Sequence, residues 1–173
     1  MDRSTTMPHP HPHPEPARLA VRPAVDEDLP ALQALARRTI DASYRSFLGD
    51  ESVDWFIGSG ASDEHIATHL RQGQVHCMQA DGEIVGLTIL DGPTLDLMMV
   101  DAGRHRQGLG RFLLGRAEEL LFARHEDIRL ETFAGNTRAI AFYEACGWRE
   151  SGPLESGDGM PARAEFVKRR PAR

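Results

Sequence analysis

The residues best suited by type and spacing to do chemistry are His105-Arg106-Gln107-Gly108-Leu109-Gly110, followed by Arg111. Gly108 and Gly110 let the chain turn tightly and let backbone come close to a ligand. From Leu109 an apolar stripe begins, through Phe112, Leu113, Ala117, Leu120 and Leu121. It predicts a helix whose first N–H groups are free and lie at the positive end of its dipole. A diphosphate suits such a turn, and Arg104, Arg106 and Arg111 add positive charge around it. Two other phosphate motifs are excluded. Gly103 and Gly108 have the spacing of a P-loop start, but Leu109-Gly110 occupies the Lys-Ser/Thr position. The dinucleotide G-x-G-x-x-G fails because Leu113 stands at the third glycine. A plain strand–turn–helix connection without a ligand is the competing explanation, since glycine-rich turns are common.

Other candidates are weaker. His65 and His69 stand four apart on a predicted helix, a spacing that suits zinc. The order His-Glu-x-x-His is absent and no third ligand lies nearby in the sequence, so no metal site is expected. Cys77 and Cys146 read as small buried hydrophobes rather than nucleophiles. Tyr44, Asp50, Glu51, Asp54 and Trp55 make an acidic-aromatic stretch. It either shapes a pocket for a cation or forms the charged outer face of an amphipathic helix.

These residues need elements to hold them. Leu19–Arg22 reads as a strand ended by Pro23. Asp26 is placed to cap a helix along which Leu29, Leu32, Ala36 and Ile40 share a face. A further helix is expected over 62–72, capped by Ser62. Val75–Gln79, Glu83–Leu90 and Thr94–Val100 are rich in strand formers, and Asp81-Gly82 and Asp91-Gly92 mark the hairpin turns between them. Ile128–Phe133 is another strand. Asn136 caps a helix that runs to Cys146, with Gly147 just past its end. Trp148–Ser151 and Ala162–Lys168 read as closing strands. The pattern is α+β, with an antiparallel meander passing into a strand–helix–strand–helix unit.

One domain over residues 17–170 is expected from the length of 173 residues. Residues 1–16 alternate His and Pro and read as a disordered tail. A net charge of −6 argues against nucleic acid and fits a cationic acceptor better. Neither a secretory signal nor a bilayer-spanning apolar stretch is visible, so a cytoplasmic protein with reduced thiols is expected, working as a monomer or homodimer.

The stretch Leu97-Met98-Met99-Val100 through His105–Arg111 resembles motif A of the GNAT N-acetyltransferases, a strand ending in Val and then R/Q-x-x-G-x-G/A opening a helix. Asn136-Thr137-Arg138-Ala139-Ile140-Ala141-Phe142-Tyr143-Glu144-Ala145-Cys146-Gly147-Trp148 is similar to the family's motif B, N-x-x-A-I-x-F-Y-E-x-x-G-F, with Trp148 in place of Phe. Val21-Arg22-Pro23-Ala24 and Asp28-Leu29 resemble the family's opening. The resemblance implies a central, twisted, mostly antiparallel mixed sheet flanked by helices, with strands 94–100 and 128–133 splayed at its middle. It implies acetyl-CoA as cosubstrate. Backbone N–H groups of residues 106–111 would hold the pyrophosphate, and the main chain at Met98 and Val100 would pair with the acetyl-pantetheine arm. Asn136 would contact that arm as well as cap its helix. His105 departs from the pattern, since Arg or Gln is usual there.

Aminolysis of a thioester expels a CoA thiolate, and a phenol bonded to that sulfur can supply its proton. The resemblance assigns that role to Tyr143; packing on the sheet is the alternative. Only a neutral amine attacks, and an alkylamine with a reference pKa of about 10.4 is mostly protonated at neutral pH. Glu131 is the first candidate base. It shares a strand face with Arg129 and Phe133, opposite to Leu130. Ribosomal-protein N-terminal acetyltransferases, a branch of the family, carry a Glu twelve residues before the same tyrosine, and Glu131 and Tyr143 have that spacing. A surface pair with Arg129 is the plain alternative for Glu131. Asp96 is a second candidate base and proton loss through water a third. The expected acceptor is a primary amine on a small molecule, such as an aminoglycoside-type antibiotic or a polyamine, met by Asp50, Glu51, Asp54, Trp55 and Asp96. A protein N-terminal or lysine amine is the alternative, and a non-catalytic acyl-CoA-binding module is a third reading.

Overall fold

The computed structural model describes residues 18–154 and 161–172, so the segment 1–16 expected as a tail lies outside the described residues. The two Asp-Gly turns join β2 (Val75–Ala80), β3 (Glu83–Asp91) and β4 (Thr94–Val100) into an antiparallel meander, with β1 (Leu19–Pro23) paired to the outer edge of β2. Beyond β4 come β5 (Asp127–Phe133), β6 (Arg149–Leu154) and β7 (Arg163–Arg169). Among the described residues the strand order is β1-β2-β3-β4-β5-β7-β6 in one seven-stranded sheet. The β4–β5 pair is parallel and every other neighbouring pair is antiparallel. The expected mixed, mostly antiparallel α+β sheet is therefore present.

Helices cover both faces. On one face α1 (Leu29–Leu48), α2 (Asp50–Gly58) and α3 (Ala61–Arg71) bury Leu32, Leu35, Ile40 and Ile66 against Cys77, Leu87 and Ile89. On the other, α4 (Leu109–Phe122) and α5 (Thr137–Ala145) close over Leu95, Ile128, Leu130 and Phe166. Among the described residues no helix is long and apolar enough to cross a membrane.

Two local expectations are corrected. Asp26–Asp28 forms a short 3-10 turn, and the cap position of α1 falls to Asp28. The Asp28 carboxylate takes two bonds from Arg22, at 2.7 and 2.9 Å, and one from the Val25 N–H at 2.9 Å. That anchor delays the helix until Leu29, with Pro30 in its first turn, where a missing N–H costs nothing. Past Ile40, α1 runs on to Leu48, because Tyr44 and Leu48 continue its apolar face into the core. Second, Ser62 does not cap α3. It is buried inside the first turn, and Gly60 holds the cap position.

The sheet opens at a defined point. β4 pairs with β5 only through Thr94↔Arg129 and Leu95↔Leu130. On its other edge the register jumps from Leu90↔Leu95 to Ile89↔Leu97, which makes Asp96 the extra residue of a β-bulge. A bulge bends its strand and increases its twist, and here it turns β4 away from β5. Past Leu95 the β5-facing edge of β4 has no strand partner among the described residues. The bulge also resets which way side chains point. Leu95 and Met98 pack toward α4 and α5, whereas Leu97 and Met99 pack toward α1.

Close packing of α4 on β3 fixes how α4 meets the opening. A Cβ built on Gly86 falls 2.8 Å from Met78 Cε, 3.0 Å from the Met99 carbonyl oxygen and 3.1 Å from Leu113 Cδ2. The methionine end can move, but the Met99 backbone cannot. Gly86→Ala is therefore expected to cost about 2 kcal/mol through overpacking, read as a lower denaturant midpoint with unchanged slope.

Candidate active site

A cavity of about 580 Å³ opens where the strands part. Met98 and Val100 of β4, the turn after it, one side of α5 from Thr137 to Tyr143 and the C-terminal part of α1 enclose it. The turn is built in steps. Asp101 Oδ1 accepts the Gly103 N–H at 3.0 Å, and Oδ2 binds Arg38 of α1 at 2.6 Å. The Arg38 contact outweighs burial and holds the Asp101 carboxyl below its ordinary range. His105 Nδ1 lies 3.1 Å from Arg138 Nη2, and its Nε2 lies 2.9 Å from the Val100 carbonyl oxygen. Arginine can only donate, so Nδ1 accepts, and the proton on Nε2 goes to Val100. The imidazole thus clasps the end of β4, the turn and α5 together.

The next residues are unusual in backbone. Arg106 has φ +64° and Gly108 has φ +77°. Left-handed residues in a turn curl successive N–H groups around a concavity that suits an anion. At Leu109–Arg111 the first N–H groups of α4 have no acceptor within the helix. Arg106 and Arg111 line the cavity and have no hydrogen-bond or ion-pair partner among the described residues. Arg104, also on the cavity, is paired with Glu83 at 2.7 Å. Unpaired guanidinium groups beside free N–H donors fit a diphosphate. Gln107 and Leu109 line no wall of the cavity: Gln107 is exposed and Leu109 is buried in the core. Their contribution to such a site is limited to main chain.

On the far wall Asn136 caps α5 as expected, its Oδ1 accepting the Ala139 N–H at 3.2 Å. Tyr143 is buried between Phe142, Trp148 and Phe166, with ring centroids 5.4, 6.1 and 6.4 Å away. Burial pushes its phenol well above the ordinary value, so it keeps its proton. Its hydroxyl has no hydrogen-bond partner among the described residues, and the residue forms part of the cavity wall. The end of α5 is held by a half-buried network. Glu118 accepts from Trp148 Nε1 at 2.8 Å and from Lys168 Nζ at 2.7 Å, while Lys168 also binds the Cys146 carbonyl at 2.8 Å.

A second groove of about 430 Å³ lies on the opposite face of β4. Asp96, Leu97 and Met99 of β4 line it, with Glu131 and Phe133 of β5, Arg163 of β7, and Tyr44, Phe56, Ser62 and His65 from α1–α3. Tyr44, Phe47 and Phe133 form an aromatic trio with centroids 5.2 to 5.9 Å apart. Phe47 belongs to the first cavity and the other two to the second, so the trio stands between them. Glu131 pairs with Arg163 at 3.3 Å rather than with Arg129. Asp96 bonds to His65 Nε2 at 2.6 Å. That contact lowers the Asp96 carboxyl and raises the His65 imidazole relative to their ordinary values, against the opposing effect of burial.

The structure leaves Asp50, Glu51, Asp54 and Trp55 outside both cavities. α2 turns Val53 and Phe56 inward, which points this acidic stretch outward. Asp50 and Asp54 bind Arg45 at 3.2 and 2.7 Å, and Trp55 is 69% exposed. The stretch is the charged outer face of an amphipathic helix. Sequence reasoning missed Arg138, Phe47 and Arg163. Arg138 sat inside the motif B stretch, where its charge beside the turn was a usable signal. Phe47 needed the true length of α1, and Arg163 needed the β5–β7 register.

The profile of the acetyltransferase (GNAT) family matches residues 40–148. Similar solved structures include a GCN5-related N-acetyltransferase from Rhodopseudomonas palustris, 21% identical, with a TM-score of 0.76 over 87% of this chain and 95% of that one. PaiA N-acetyltransferase from Thermoplasma acidophilum, solved in complex with coenzyme A, is 20% identical, with a TM-score of 0.69 over 86% of this chain and 98% of that one. The ribosomal-protein-S18-alanine N-acetyltransferase of Escherichia coli is 22% identical, with a TM-score of 0.63 over 87% and 92%. A search of curated protein sequences finds no match.

Proposed function

The chain belongs to the acetyltransferase (GNAT) family, with acetyl-CoA as cosubstrate, and we propose on that premise that it acetylates a primary amine on a small molecule. The observation that carries this reading is the pair of cavities on opposite faces of β4, set where β4 and β5 part and divided by the Tyr44–Phe47–Phe133 trio. In this reading the pyrophosphate lies on the N–H groups of 106–111, with Arg106 and Arg111 free to neutralise it. The pantetheine arm follows the unpaired edge of β4 at Met98 and Val100, beside Asn136. The amine comes from the second groove and attacks the thioester directly. Its proton passes to Glu131, the carbon–sulfur bond breaks, and the leaving thiolate takes the proton of Tyr143.

The groove's volume of about 430 Å³ falls in the range of small-ligand pockets, and the Asp96 and Glu131 carboxylates would attract a cation such as a polyamine or aminoglycoside. The Glu131–Tyr143 spacing favours the second reading, a protein N-terminal or lysine amine. CoA release from acetyl-CoA over a panel of aminoglycosides, polyamines, amino acids and peptides decides between them. Turnover confined to small amines is expected, and turnover confined to peptides would replace this reading with the second.

The pyrophosphate assignment has its own test. Gly108→Ala puts a side chain at φ +77°, a conformation that costs an L-residue about 1–2 kcal/mol. Relaxation of the turn is expected to weaken acetyl-CoA binding about tenfold, in line with that energy. Calorimetric titration reads the change, and an unaltered affinity would move the pyrophosphate off this turn.

A further inference from the structure

We propose that His65, His69 and Asp96 bind a divalent first-row transition metal ion of the Zn²⁺ type at the edge of the acceptor-side groove. The i, i+4 spacing on α3 brings the two imidazoles together, with ring centroids 4.4 Å apart. The sequence around them offers no third ligand; the fold supplies one. The bulge in β4 swings Asp96 onto the face that carries α3, and its Oδ2 reaches 2.6 Å from His65 Nε2. One ligand atom from each of the three residues lies within 4.8 Å of the other two. Ligands about 2.1 Å from a tetrahedral ion stand roughly 3.4 Å apart. Side-chain adjustments of the order of 1 Å therefore suffice, and His65 and Asp96 are exposed enough to make them.

His69 Nδ1 is 2.5 Å from Gln74 Oε1, and Gln74 Nε2 donates to Asp91 Oδ1 at 2.8 Å. With the amide N–H committed to Asp91, the atom facing His69 is a carbonyl oxygen, which can only accept. Nδ1 therefore carries a proton, and Nε2 is the nitrogen left to bind a metal. A metal-bound imidazole needs this support, a backing acceptor that fixes tautomer and ring orientation. Glu131 and Arg163 also line the groove beside the cluster; paired with each other, they leave Asp96 to His65. Two imidazoles and one carboxylate, without thiolate, favour Zn²⁺, Co²⁺ or Ni²⁺ over Mg²⁺ and Ca²⁺. Three protein ligands leave at least one coordination position for water or for a ligand in the groove.

The test is direct binding to the full chain, which needs no knowledge of the acceptor. EDTA-treated protein is titrated with Co²⁺, followed by visible absorption, and with Zn²⁺, followed by calorimetry. Circular dichroism checks that each variant stays folded. The expected result is one saturable equivalent that survives in a variant carrying His9→Ala, His11→Ala and His13→Ala, which removes any binding by the N-terminal histidines. His69→Ala and Asp96→Ala should each abolish that equivalent, and Gln74→Leu should weaken it about tenfold as the loss of a backing acceptor does. Loss of all binding in the N-terminal variant overturns the proposal. So does an equivalent that His69→Ala and Asp96→Ala leave untouched.

Discussion

Tyr143→Phe is expected to lower kcat by about a hundredfold or more, the size of a general-acid contribution, while acetyl-CoA affinity stays nearly unchanged. The substitution removes one oxygen and keeps the ring. The contacts with Phe142, Trp148 and Phe166 that hold α5 against the sheet therefore persist. Among the described residues the hydroxyl gives no hydrogen bond to the protein, so folding loses little. What disappears is a proton that burial keeps on the phenol across the working pH range. Steady-state CoA release gives the rate, and titration of each variant with acetyl-CoA gives the affinity. If affinity drops and the rate per bound acetyl-CoA holds, Tyr143 is a packing residue and the proton comes from elsewhere. A non-catalytic binding module predicts a third pattern, tight acetyl-CoA binding with no turnover in the parent chain over the whole amine panel.

The parts of this site that sequence reasoning reached are those set by local rules. Asp81-Gly82 and Asp91-Gly92 dictate hairpins wherever they occur between strand formers. Gly108 before an apolar helical stripe dictates a turn onto a helix N-terminus. Asn136 meets its own helix three residues on. The parts not reached depend on contacts between segments distant in the chain. Thr94-Leu95-Asp96-Leu97 reads as uninterrupted strand, and only the register against β3 reveals that Asp96 is an insertion in the ladder. That one residue opens the sheet, and it decides that Asp96 meets His65, which lies 31 positions earlier. Glu131 shows the same limit. Its same-face neighbour Arg129 is visible in sequence, but its actual partner Arg163 comes from β7, aligned by the Glu131↔Glu165 pairing. The acidic stretch 50–54 failed as a pocket for a related reason. Composition identified its charge, whereas its orientation was set by Val53 and Phe56 seeking the core.

That partner sharpens the prediction for Glu131. Glu131→Gln is expected to reduce acetyl transfer at neutral pH by about a hundredfold, at the lower end of general-base effects. The deficit should shrink as the pH rises. An alkylamine titrates near a reference pKa of about 10.4, so at neutral pH nearly every acceptor molecule must lose a proton on or near the enzyme. Toward pH 10 an increasing share arrives already neutral and needs no base. A glutamine amide oxygen still accepts from Arg163, so the groove keeps its shape, and an exposed ion pair of this kind contributes only about 0–1 kcal/mol to stability. The melting temperature should hardly move. A purely structural Glu131 predicts the reverse: equal rates for parent and variant at every pH, with any effect confined to stability. A rate deficit that stays constant with pH would point to acceptor binding through the carboxylate rather than proton removal. The rate profile from pH 7 to 10, measured with the best amine from the panel, separates the three because only a base becomes dispensable when the nucleophile is already deprotonated.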